Sequence, residues 1–120
     1  MKVIPRWPLV LLAITVSSAS GDEPVPLLWG YGVQTCARLV EAADGVEAGN
    51  GDAVIEYRHF QEWLAGFVSA INLATGRDVL QGLPISGAME QAEASCRANP
   101  SGDFFNTAMT LVHASLPVAP

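Results

Sequence analysis

Residues 57–75, YRHFQEWLAGFVSAINLAT, constrain this chain more than any other stretch. Phe60, Trp63, Leu64, Phe67, Val68 and Ile71 recur at i, i+3, i+4, i+7, i+8 and i+11, which draws one apolar stripe along a helix of 3.6 residues per turn. Such a stripe is stable in water when other elements cover it. Gly66 and Ala70 are small enough to admit a close neighbouring helix beside it. No segment has sustained strand alternation, so the covering elements are expected to be helices and the fold class all-α.

Three further helical patterns are available to do the covering. Trp29, Val33, Cys36, Val40 and Ala43 follow at spacings of four and three, and Gly30 and Gly32 weaken the first turn, so a helix is expected over 33–43. Residues 44–52, DGVEAGNGD, read as a loop, with Asp52 as N-cap of the long helix and Gly76 as its C-terminal stop. After Gly82 and Pro84, Ser86 is positioned to cap a third helix in which Met89, Ala92 and Cys96 share a face. Val79, Leu80 and Leu83 are expected to tuck under the bundle. Asn99-Pro100 ends the third helix, and Ser101 or Asp103 can cap a fourth carrying Phe104, Phe105, Ala108, Leu111, Val112 and Leu116. The expectation is a small four-helix bundle over 33–116, preceded by a flexible leader over 21–32 and followed by a tail over 117–120.

The first 20 residues read as a signal peptide: Lys2 and Arg6 precede the apolar run LVLLAITV, and small residues follow it, with cleavage near Ser20. Eight apolar residues fall well short of the roughly 20 that span a bilayer, so no stable membrane insertion is expected and the location is periplasmic. Removing that segment leaves four arginines against all twelve carboxylates and moves the formal charge from −6 to −8. Nucleic acid is excluded as a partner, because its binding rests on neutralising phosphates with Lys and Arg. An acidic face does suit a basic protein.

Two cysteines in an exported chain read as one disulfide, Cys36 to Cys96, joining two helices. There is no C-x-x-C to favour a redox role. Residues 44–52 lack the ligand spacing of a calcium loop. Glu56 and His59 have the E-x-x-H spacing of carboxylate-bridged metal bundles, but one copy is not a ligand set, so no metal or other cofactor is expected. No G-x-S-x-G or other nucleophilic arrangement is present, and the chain is not expected to be an enzyme. Trp29, Phe60, Trp63 and Phe67 are the candidates for contact with a protein partner.

Taken together, Thr35-Cys36, the run WLAGFVSAIN from Trp63, the run DVLQG from Asp78, and Cys96-Arg97-Ala98-Asn99-Pro100 with Phe104 following resemble small exported bacterial proteins of the HdeA/HdeB-like class. A related pattern occurs in Tai, a family of type VI secretion immunity proteins. The resemblance covers about 35–112. It implies a disulfide-stapled periplasmic helical domain and, on the HdeA side, a chaperone that loosens in acid and exposes apolar surface to unfolded clients. On the Tai side it implies tight binding of a cognate toxin delivered to the periplasm. A homodimer is compatible with either. The sequence therefore leads to a non-catalytic protein-interaction domain, first as an acid or stress chaperone and second as an immunity protein.

Overall fold

A computed structural model describes residues 23–115 continuously, side chains to 114, together with residues 2–5, 8, 13 and 14. Most of the expected signal peptide, Leu116 and the expected tail lie outside the described residues. The described chain is all-α: a 3-10 turn (Gly30–Val33), then α1 (Cys36–Glu47), α2 (Gly51–Thr75), α3 (Ile85–Ala98) and α4 (Phe104–Ser115). None of these helices is long and apolar enough to cross a membrane.

The helix ends follow local chemistry. The Thr35 hydroxyl accepts a hydrogen bond from the Arg38 amide at 3.2 Å and sets the start of α1. The expected start at Val33 is displaced because Gly30 to Val33 wind into the tighter turn, so the last residues assigned to the leader are folded. The N-cap of α2 is Asn50, whose side-chain oxygen accepts from the amides of Asp52 and Ala53 at 3.0 and 3.4 Å. Asp52, the expected cap, sits instead in the first turn, where its carboxylate meets the positive end of the helix dipole. Gly76 ends α2 in the left-handed conformation, as expected. Ser86 lies inside α3, which begins one residue earlier behind an extended Pro84 with no side-chain cap. Asp103 caps α4 by accepting from the Asn106 amide at 2.8 Å.

Phe60, Leu64 and Val68 of α2 pack into a core with Leu39 of α1, Met89 and Ala92 of α3, and Phe104 and Ala108 of α4. Val79 and Leu80 close one end, both buried. The Cys36–Cys96 disulfide ties the first residue of α1 to the last turn of α3, with Cα atoms 4.8 Å apart. Closing a loop of 60 residues is worth about 4 kcal/mol on chain entropy. Two backbone hydrogen bonds of 2.9 Å flank it, from the Cys36 amide to Gly102 and from the Phe104 amide to Gln34. The Thr107 hydroxyl lies 3.4 Å from the Cys36 sulfur and 3.6 Å from that of Cys96. One node thus joins α1, α3 and α4.

Two glycines exchange the roles that sequence suggests. Gly45, read as a loop residue, lies inside α1, and a Cβ there would come within 2.4 Å of the Ala53 methyl. It is the point of close approach between α1 and α2. Gly66 and Ala70, expected to admit a neighbouring helix of the bundle, are both exposed, and a Cβ on Gly66 would meet nothing. The substitutions should diverge accordingly. Gly45→Ala is expected to destabilise by about 1–3 kcal/mol through overpacking, while Gly66→Ala is expected to stabilise by about 1 kcal/mol through helix propensity. Urea unfolding midpoints of the two variants check both signs.

Candidate functional site

The 3-10 turn lies across α2. A Cβ at Gly32 would sit 2.1 Å from the Trp63 ring, so only glycine lets the backbone cross the indole there. The Trp63 indole N–H donates to the Trp29 carbonyl at 2.9 Å and fixes the turn's leading edge. Tyr31 drops between the turn and the helix, stacked on His59 at 5.0 Å and edge-on to Phe60 at 4.9 Å.

Glu56 holds this turn in place. The Tyr31 hydroxyl donates to its Oε2 at 2.7 Å, and the Arg38 Nε donates to its Oε1. Arg38 also donates to Gln34 Oε1 at 2.8 Å and lies 5.5 Å from the centre of the Tyr31 ring. Burial pushes the Glu56 carboxyl up, but the Tyr31 hydroxyl, the Arg38 guanidinium and the charge at His59 outweigh it and hold the carboxyl below its ordinary value. The hydrogen bond to Glu56 raises the Tyr31 phenol, and burial adds to the rise, against the opposing charge of Arg38. One carboxylate therefore links the turn, α1 and α2.

Beneath the turn the aromatic side chains form a continuous cluster. Phe60 meets Phe104 edge-on at 5.0 Å, Trp63 stacks on Phe67 at 5.2 Å, and Phe105 closes on Phe67 at 5.8 Å and on Trp63 at 6.5 Å. Phe60 and Phe104 are fully buried. Trp63, Phe67 and Phe105 are half-buried and form the outer edge of the cluster. The next residues outward, Leu28 and Trp29, are exposed, Trp29 to 76%.

The sequence-derived candidates sort by this geometry. Trp63 and Phe67 lie at an accessible edge, and Trp29 stands beside them. Phe60 does not belong with them in the folded state, because Tyr31 and Phe104 cover it. Glu56 and His59 do share a helical face, but the carboxylate is engaged by Tyr31 and Arg38, and no group of three metal-ligating side chains occurs among the described residues. Tyr31 and Arg38 carry no sequence signal of a site, and Phe105 is legible only as part of the apolar stripe of α4. The G-Y-G triplet at 30–32 is the local sign of Tyr31, since glycines flanking an aromatic suit a close backbone crossing. A second feature, a cleft of about 440 Å³ between α1 and α2, opens beside Glu56 and is lined by Arg38, Glu41, Asn50 and Asp52.

No protein-family model matches this chain, and no match is found among curated proteins or solved structures.

Because the Glu56 carboxyl is held low in the fold, its stabilisation is present above the unfolded-state value and is lost as pH falls through the folded one. Glu56→Gln is expected to cost about 1 kcal/mol at pH 7, given the partial exposure of the pair. Near about pH 2, below ordinary carboxylate values, the variant and the parent should converge. Denaturant unfolding of both proteins across that range measures the difference.

Proposed function

We propose that this chain is a non-catalytic protein-interaction domain of the periplasm that protects other proteins under acid stress. The observation that carries the reading is the Glu56 hub, a single titratable group that fastens the 3-10 turn beside a half-buried aromatic edge. Protonating Glu56 removes the charge that attracts Arg38 and turns one of its two accepting oxygens into a hydroxyl that donates, which weakens both hydrogen bonds. The turn then loosens, and Trp63, Phe67 and Phe105 become available to apolar segments of unfolding clients. The Cys36–Cys96 bond and the backbone hydrogen bonds beside it do not use the Glu56 carboxyl, and they keep α1, α3 and α4 together while the turn moves. The resemblance of the cysteine-framed helical pattern to HdeA/HdeB-like proteins supports the same reading.

The acidic cleft beside Glu56 favours a second reading, in which the partner is a dedicated basic protein such as a toxin neutralised in the periplasm. Aggregation of an acid-sensitive client at about pH 2–3, where carboxylates protonate, separates the two. The oxidised protein is expected to suppress aggregation in acid and not at pH 7, and the reduced protein to lose the effect. No protection at any pH would remove the chaperone reading and leave the dedicated partner.

A further inference from the structure

An asparagine followed by glycine is a chemically reactive pair, because the glycine amide nitrogen reaches the asparagine side chain with no Cβ in its way. The chain holds four asparagines, Asn50, Asn72, Asn99 and Asn106, and the fold treats them differently. Asn72 and Asn106 lie inside α2 and α4, where the amide that follows is part of the helix, and that of Thr107 donates to the Asp103 carbonyl at 3.2 Å. Asn99 precedes Pro100, whose nitrogen carries no hydrogen to give up. Asn50 alone precedes a glycine. Both residues of that pair are exposed, and a Cβ on Gly51 would meet nothing within 4 Å. As the first residue of α2, Gly51 also has an amide that no carbonyl of that helix accepts.

We propose that Asn50-Gly51 is a modification site, where spontaneous deamidation adds a carboxylate to the cleft between α1 and α2 at a rate set by the N-cap of α2. The Gly51 nitrogen bonds to Asn50 Cγ, the bond from Cγ to the side-chain nitrogen breaks, and ammonia leaves with the glycine proton. Water then cleaves either carbonyl–nitrogen bond of the cyclic imide and yields aspartate or isoaspartate. Ring closure needs rotation about the Asn50 Cα–C bond to bring the Gly51 nitrogen alongside the side chain. At ψ 115° that nitrogen is turned away from Cβ, and the amides of Asp52 and Ala53 hold the side-chain oxygen in its capping position. The seated cap is therefore unreactive, and reaction proceeds when the first turn of α2 opens. Asp44-Gly45 is the contrasting pair. Gly45 lies inside α1, where its amide belongs to the helix, and the Asp44 carboxylate is paired with Arg97 at 2.6 Å. The two products differ in consequence. Aspartate caps as well as asparagine does, whereas isoaspartate routes the backbone through the side chain, loses the cap and loosens the turn that seats Ala53 against Gly45. Either one adds negative charge beside Glu41, Asp52 and Glu56. The inference is independent of the chaperone reading.

Protein expressed from its full-length sequence, disulfide-bonded and kept in mildly alkaline buffer with and without denaturing urea, tests this by mass spectrometry of the tryptic peptide 39–58, which carries both pairs. Conversion of amide to acid is expected at Asn50 in the folded protein, slower than in urea by about two- to thirtyfold, the range of populations that an N-cap controls. Gly45→Ala crowds Ala53 and leaves the reactive pair intact. It should speed the conversion at least about twofold in protein that circular dichroism shows to be folded. Asn50→Ser keeps a capping oxygen and should remove the mass gain from the peptide without unfolding the chain. Equal rates with and without urea, a folded Gly45→Ala variant no faster than the parent, or a folded protein untouched at Asn50 while the urea sample converts completely would each overturn the proposal.

Discussion

The fold depends first on the bond between Cys36 and Cys96 and on what that bond brings within reach. A domain of about 90 residues buries a limited core, and here the core is built from helices of 12, 25, 14 and 12 residues whose ends would otherwise fray. The disulfide fixes the start of α1 against the end of α3. The paired backbone hydrogen bonds next to it then fix the start of α4, and Thr107 packs its hydroxyl over both sulfurs. With three helices held there, Phe60, Leu64 and Val68 of α2 have a preformed surface to cover. The stripe along α2 and the pair of cysteines are therefore two halves of one solution.

Against that rigid node stands a lightly held element. The 3-10 turn is short and rests on α2 through one indole hydrogen bond, one tyrosine and the Glu56 carboxylate with Arg38. Segments secured by few, partly exposed polar contacts open at lower free energy than the core. The molecule thus separates a part that stays folded from a part that can lift, and the aromatic edge of Trp63, Phe67 and Phe105 lies at the boundary between them.

Much of this was legible in the sequence, and the physics says why. Helix periodicity is a property of burial, so Leu64, Val68, Met89, Ala92 and Phe104 announce themselves as core. The cysteines declare their pairing by number, since there are two and the fold brings them together. Helix starts were less secure, because Asn50 and Asp52 are both good caps and the choice depends on where the preceding turn delivers the chain. Glycines misled most: Gly45 in an acidic, glycine-rich stretch looks like a loop, and only the approach of Ala53 makes it a helix-packing residue. The site itself was hidden for a related reason. Glu56 has only its E-x-x-H spacing to His59 to mark it, too little for a ligand set, while its partners Tyr31 and Arg38 lie 25 and 18 residues away and follow no shared period.

The claim on which this account turns is that the 3-10 turn releases separately from the disulfide node as acid neutralises Glu56. The Trp63 indole N–H reports it directly, because its hydrogen bond to the Trp29 carbonyl exists only while the turn is seated. Following that resonance by NMR from pH 7 to about pH 2, through and below the carboxylate range, should show it move toward a free indole while the amides of Cys36 and Phe104 keep their native shifts. An indole that stays native to the acid limit, or one that changes only together with those amides, would contradict it.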